Sequence, residues 1–81
     1  MSVSGTIYSV QGDIVVISDG SGFTKAKVDG QTNISINGKK ISIDSLQPAQ
    51  KVHVEGFGDL STRELKAETL MVMGEVQVIP F

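Results

Sequence analysis

Apolar and polar side chains alternate with a period of two along nearly the whole chain, and most alternating runs end at a turn signal, usually one containing glycine. That period belongs to half-buried β-strands and not to helices. Val3, Gly5 and Ile7 alternate with Ser4, Thr6 and Tyr8, and Gln11-Gly12 marks a turn. Asp13 to Ser18 is a β-branched run. It leads into Asp19-Gly20-Ser21-Gly22, where glycine supplies positive φ for a hairpin loop. Phe23 to Val28 is the return strand, with Thr24, Ala26 and Val28 on one face and Phe23, Lys25 and Lys27 on the other. Asp29-Gly30 makes a second turn. Asn33 to Ile36 and Lys40 to Ile43 then flank Asn37-Gly38, the strongest short-range hairpin dipeptide.

Asp44 to Gln50 interrupts the strands. Asp44 or Ser45 is read as the cap of a single helical or 3₁₀ turn, with Leu46 as its apolar plug. Alternation resumes over Lys51 to Gly56, with Val52 and Val54 inward and Lys51, His53 and Glu55 outward. Phe57 to Arg63 reads as a polar, glycine-containing loop, and Leu65 to Met73 as the last long strand. Within it the alternation breaks beyond Thr69, where both faces turn apolar. Gly74 separates it from a strand-like tail, Glu75 to Phe81.

No helix of ordinary length fits this pattern. Five main strands, one extra small hairpin and one helical turn before the fourth main strand predict an all-β, five-stranded OB-fold-like barrel, with an SH3-like barrel as its competitor. Closure removes the sheet edges through which short strands aggregate. With 81 residues the chain is long enough for one domain, residues 3–73 forming the barrel and 75–81 an apolar tail.

Several segments together resemble the bacterial DUF5666 domain family. They are Gly5-Thr6-Ile7; Ile14-Val15-Val16 into Asp19-Gly20-Ser21-Gly22; Val28-Asp29; Thr32-Asn33-Ile34; Leu46-Gln47-Pro48-Ala49-Gln50-Lys51-Val52-His53-Val54-Glu55-Gly56; and Leu65-Lys66-Ala67. The resemblance spans about residues 3–73 and rests on strand count and turn chemistry. It implies a small OB-like barrel module of unknown function, of a kind often found in secreted or envelope proteins, and it brings no catalytic residues. The chain departs from the family at Ala49, where the family usually has glycine in the turn before the fourth main strand.

Little in the chain points to chemistry. It has no Cys, so it lacks disulfides, a thiolate zinc site and a cysteine nucleophile. Its one imidazole, His53, has Glu55 two residues on along the same face but no nucleophile marked by a motif, and it reads as a surface strand residue. Most carboxylates sit in turns, where Asp accepts backbone N–H bonds. Asp19-Gly20-Ser21-Gly22 lacks the alternating acidic ligands and closing Glu of a calcium loop. No helix N-terminus follows it to make a phosphate cradle. The reading is therefore a protein that is not an enzyme and uses no cofactor or metal.

Charge is segregated. Five lysines against two aspartates give residues 25–51 a net +3, whereas two basic against five acidic side chains give residues 52–81 a net −3. The overall charge of −2 argues against a surface given over wholly to nucleic acid. Within the basic part, Phe23, Lys25 and Lys27 line one strand face. Tyr8 points outward if Ile7 points in, and Lys39 and Lys40 add further charge. Aromatic residues beside lysines suit single-stranded nucleic acid or an oligosaccharide, so these six residues form the candidate ligand face. The tail offers a different surface. Val76, Val78, Ile79 and Phe81 forfeit about 1.5–3 kcal/mol each if left in water, so they form the candidate oligomer interface. The favoured function is a structural or protein-interaction module that self-associates, or binds a partner, by a sheet edge or by the tail. Weak binding of single-stranded nucleic acid or oligosaccharide is the alternative. Met1 to Tyr8 has no signal-peptide pattern, which predicts a cytoplasmic chain as written, and no run approaches a membrane span.

Overall fold

The computed structural model describes residues 2–59 and 61–74. Seven strands and one short 3₁₀ turn follow one another in the order β1 (Ser2–Gln11), β2 (Ile14–Ser18), β3 (Phe23–Lys27), β4 (Asn33–Ile36), β5 (Lys39–Lys40), the 3₁₀ turn (Ile43–Ser45), β6 (Lys51–Asp59) and β7 (Glu64–Gly74). β1 lies between β2 and β6, β2 pairs with β3, and β6 pairs with β7, all antiparallel. A parallel β3–β7 pair, Lys25 to Lys27 against Glu64 to Lys66, closes the ring. The five main strands thus form a barrel in the order β1-β2-β3-β7-β6 and back to β1. This is the OB-like arrangement, with the 3₁₀ turn before the fourth main strand as the sequence predicts. β4 and β5 are the extra hairpin, and β4 continues along β7 in parallel beside Thr69 to Val72.

The core is the inward half of each alternating run. Val15, Ile17, Val52, Val54 and Leu70 are essentially sealed from solvent, and Thr24, Ala26 and Val28 are buried as the alternation of β3 requires. Leu46 plugs the barrel beyond the 3₁₀ turn. Capping differs from expectation. Asp44 and Ser45 lie inside the turn, and the capping position belongs to Ser42, whose side chain makes no cap bond. Backbone ties from Ala49 N–H to the Ile7 carbonyl (2.8 Å) and from Ile7 N–H to the Gln50 carbonyl (2.9 Å) hold this segment instead.

Two local irregularities explain where the period-two pattern slips. In the β1–β2 register Ile7 faces Ile17 and Ser9 faces Val16, so Tyr8 is an extra, bulged residue. In the β6–β7 register Glu55 faces Thr69 and Gly56 faces Ala67, so Glu68 is extra. The second bulge moves the buried set of β7 from Leu65 and Ala67 to Leu70 and Val72, the point at which alternation breaks in the sequence.

The expected loop over Phe57 to Arg63 is corrected. β6 runs on to Asp59, and only a tight turn joins it to β7. Glycine here is a packing requirement and not a loop signal, because a Cβ on Gly56 would overlap the Lys66 carbonyl of the neighbouring strand.

Candidate contact face

The outward residues of β1 to β3 converge as the alternation predicts. Tyr8, next to the inward Ile7, points out of the barrel, where its ring meets that of Phe23, with centroids 4.9 Å apart and planes 60° from parallel. This tilted geometry is favourable for two aromatic quadrupoles. The pair does not hide itself, since Tyr8 remains 63% and Phe23 52% exposed. Lys25 and Lys27 continue the same face of β3, both exposed, and neither forms an ion pair among the described residues. Lys39 and Lys40 lie elsewhere, on β5 at the outer edge of the hairpin. Their partner strand β4 runs beside Thr69 to Val72, away from the Glu64 to Lys66 segment that flanks Lys25 and Lys27.

Phe57 is a member of this surface that sequence reasoning missed. It is 70% exposed and walls a cleft of about 330 Å³ along the β3–β7 seam. Ile14 and Leu65 contribute apolar surface to that cleft, and Lys25, Lys27, Lys66 and Glu64 its charges. Lys66 reaches Asp29 at 3.6 Å. The Asp29 carboxyl lies below its ordinary range chiefly because it accepts the Gln31 backbone N–H, helped by the Thr32 hydroxyl and the Lys66 charge. Continuation of the Lys51–Glu55 alternation through Gly56 would have placed Phe57 outward, but the two flanking glycines disguised the strand.

One end of the barrel is clipped by charge. Arg63, in the β6–β7 turn with φ of 55°, lays its guanidinium on the β2–β3 loop, 3.0 Å from Asp19 Oδ2 and 3.3 Å from the Ser21 carbonyl. Gly22 (φ 152°) makes room, because a Cβ there would meet Arg63 Nη1. The Asp19 carboxyl is held down to about 2, first by the Ser21 backbone N–H, then by the Ser21 and Thr24 hydroxyls and Arg63. Asp59 is likewise lowered by the Ser61 hydroxyl and N–H. Both loops are thus Asx turns whose acids serve local hydrogen bonding.

His53 occupies the outer face of β6 with Glu55, whose Oε1 lies 3.3 Å from His53 Nε2. The cross-strand register sets Ser4 directly opposite, and its Oγ lies 2.6 Å from His53 Nδ1. The imidazole thus has a polar partner at each ring nitrogen, Glu55 at Nε2 and Ser4 at Nδ1, with donor and acceptor roles set by its tautomer. Sequence alternation predicts the His53–Glu55 proximity, whereas Ser4 enters only through the β1–β6 register. Acyl transfer would need, besides this line, donors preorganised around a developing oxyanion. The line lies on the β1–β6 antiparallel ladder, and Ser4 also borders a cleft lined by Asp19, Ser21, Thr24 and Arg63, where Arg63 is engaged by Asp19. Among the described residues no three His, Asp or Glu side chains gather to hold a metal ion. No helix among them is long and apolar enough to cross a membrane.

The expected oligomer interface, Val76, Val78, Ile79 and Phe81, lies outside the described residues. Comparison of the chain with protein-family models, with curated proteins and with solved structures finds no match. The likeness to the DUF5666 family therefore remains one of strand order and turn chemistry. The structure defines a class, the OB-fold-like five-stranded barrel, consistent with a non-catalytic binding or structural module.

Proposed function

We propose that this barrel is a non-enzymatic interaction module that associates with protein, in the first place with further copies of itself, through the face carrying Tyr8, Phe23, Lys25, Lys27 and Phe57. The observation that carries the reading is the exposure of three aromatic rings on the outside of the barrel, whose inward described side chains are buried. Tyr8 and Phe23 touch, and Lys25 and Lys27 lead from Phe23 to the cleft that Phe57 walls; exposed aromatic surface of this kind on a small domain marks a site of association. The edge mode has little room. β5, at the outer edge of the hairpin, is two residues long and carries two lysines, a pattern that discourages strand addition. Light scattering across concentration tests the reading. Mass rising above the monomer into the high micromolar range is the expected result, and a strict monomer throughout would overturn it.

A second reading has its own support in the Tyr8–Phe23 contact beside Lys25, since a base can stack on exposed rings while lysine meets phosphate. It predicts salt-sensitive binding of a short single-stranded oligonucleotide in fluorescence anisotropy. We favour protein association because the net charge is −2 and Glu64 and Asp29 offset the local lysines.

A further inference from the structure

We propose that His53, Met71 and Met73 form a binding site for one soft monovalent metal ion, Cu(I) or Ag(I), on the outer face of the β6–β7 ladder. The inference goes beyond association through the aromatic face and does not depend on it.

Register brings the three residues together. His53 faces Met71 directly across the antiparallel pair. The residues on either side, Val52 and Val54 on β6 and Leu70 and Val72 on β7, are buried, so His53 and Met71 belong to the outward set. Opposed residues of this kind have Cβ atoms about 4.5–5.5 Å apart, close enough for an imidazole and a thioether to share one ion. The ladder then slips. Lys51 faces Gly74 and Val52 faces Val72, so Met73 is an extra, bulged residue next to the pair. Its diagonal position relative to His53 stays within the reach of a long side chain. Met71 is 39% and Met73 64% exposed, so neither side chain is committed to the core. Both line a cleft of about 250 Å³ together with Ser35, Asn37 and Gly38.

The donor set selects the ion. Thioether sulfur is soft and uncharged, and it favours Cu(I) over hard or borderline divalent cations. Calcium and magnesium need clustered oxygen ligands, and structural zinc needs thiolates or several imidazoles. Among the described residues no three His, Asp or Glu side chains gather to supply them. Lys51 and Glu55 flank His53 on β6 with opposite charges, so the local field neither gathers a divalent cation nor repels a monovalent one strongly. The imidazole is also held as a metal ligand requires, with a hydrogen-bond partner at its other ring nitrogen. Ser4 Oγ, on β1, lies 2.6 Å from Nδ1 and fills that role. Nε2 has the longer contact, 3.3 Å to a Glu55 side chain that is 62% exposed, and it is the nitrogen that the ion takes. Nδ1–H then donates to Ser4 Oγ.

The test uses the full chain. Ag(I) is titrated by calorimetry and Cu(I) against a colorimetric chelator, while methionine methyl resonances are followed. One ion per chain is expected, with shifts at the Met71 and Met73 methyls. Even an outer hydrogen-bond partner of a metal ligand is worth about 10–100-fold in affinity, so Met71→Leu, Met73→Leu and His53→Gln should each weaken Ag(I) binding by about tenfold or more. Leucine keeps the volume and apolarity of methionine, and circular dichroism melts check that each variant stays folded. Zn(II) should bind far more weakly than Ag(I). Absence of saturable binding at micromolar Ag(I), binding that survives the double change Met71→Leu with Met73→Leu, or Zn(II) held as tightly as Ag(I) would each overturn the site, while leaving association through the aromatic face untouched.

Discussion

Ala49 is the position where one methyl group should be worth removing. Its φ is 76°, in the left-handed region, and it holds that geometry so that its N–H and the next carbonyl can clamp Ile7 of β1. An L-residue with a Cβ gives up about 1–2 kcal/mol in that region. Glycine avoids this cost but brings a more flexible unfolded chain, a loss of about 0.4–1 kcal/mol. The Ala49 side chain is exposed, so no packing is forfeited. The balance for Ala49→Gly is a gain of about 0.5–1 kcal/mol, or roughly 2–8 °C in Tm for a domain of this size. Ala49→Val should move the other way by more than 1 kcal/mol, roughly, since a β-branched residue fits positive φ poorly. Urea unfolding followed by circular dichroism measures both. If Ala49→Gly were less stable than the parent, the strain argument would fail, and with it the view that the turn before β6 wants glycine.

Three further outcomes follow from the same structure. Val54 is fully buried, so Val54→Ala should cost about 1–3 kcal/mol in urea unfolding, whereas Glu55→Ala one residue away should change little; equal losses would invert the register of β6. Asp19 titrates near 2 in the folded chain against about 3.9 when unfolded, so the stability it contributes is complete above about pH 4 and drains away as pH falls toward 2. Asp19→Asn should flatten that acid limb in urea unfolding, and an unchanged limb would place the acid sensitivity elsewhere. Arg63→Ala should raise amide exchange in both the β2–β3 loop and the β6–β7 turn, and protection lost in one alone would mean that the two are not clipped together.

The barrel was legible because its signals are local. Alternation set the inward faces of β2, β3 and β6, and Asn37-Gly38, with φ of 52° and 82°, made the hairpin that dipeptide favours. The outward placing of Tyr8, Phe23, Lys25 and Lys27 followed from the same alternation. What escaped was non-local. Phe57 looked like a loop residue because Gly56 and Gly58 flank it, and only the approach of the β7 backbone reveals why those glycines belong in a strand. Ser4 meets His53 through a pairing that joins positions 49 residues apart. The bulge at Glu68 rephases β7 without any local mark, and Ala49 shows that a turn can require positive φ where the residue does not announce it.

The central claim, that association occurs through the aromatic and lysine face, is tested most directly by following backbone amide resonances of the full chain on dilution from millimolar to low micromolar concentration. The account predicts concentration-dependent shifts at and around Tyr8, Phe23, Lys25, Lys27 and Phe57, with Lys39 and Lys40 on β5 unmoved. Shifts confined to β5 and its neighbours, or no change anywhere across the series, would contradict it.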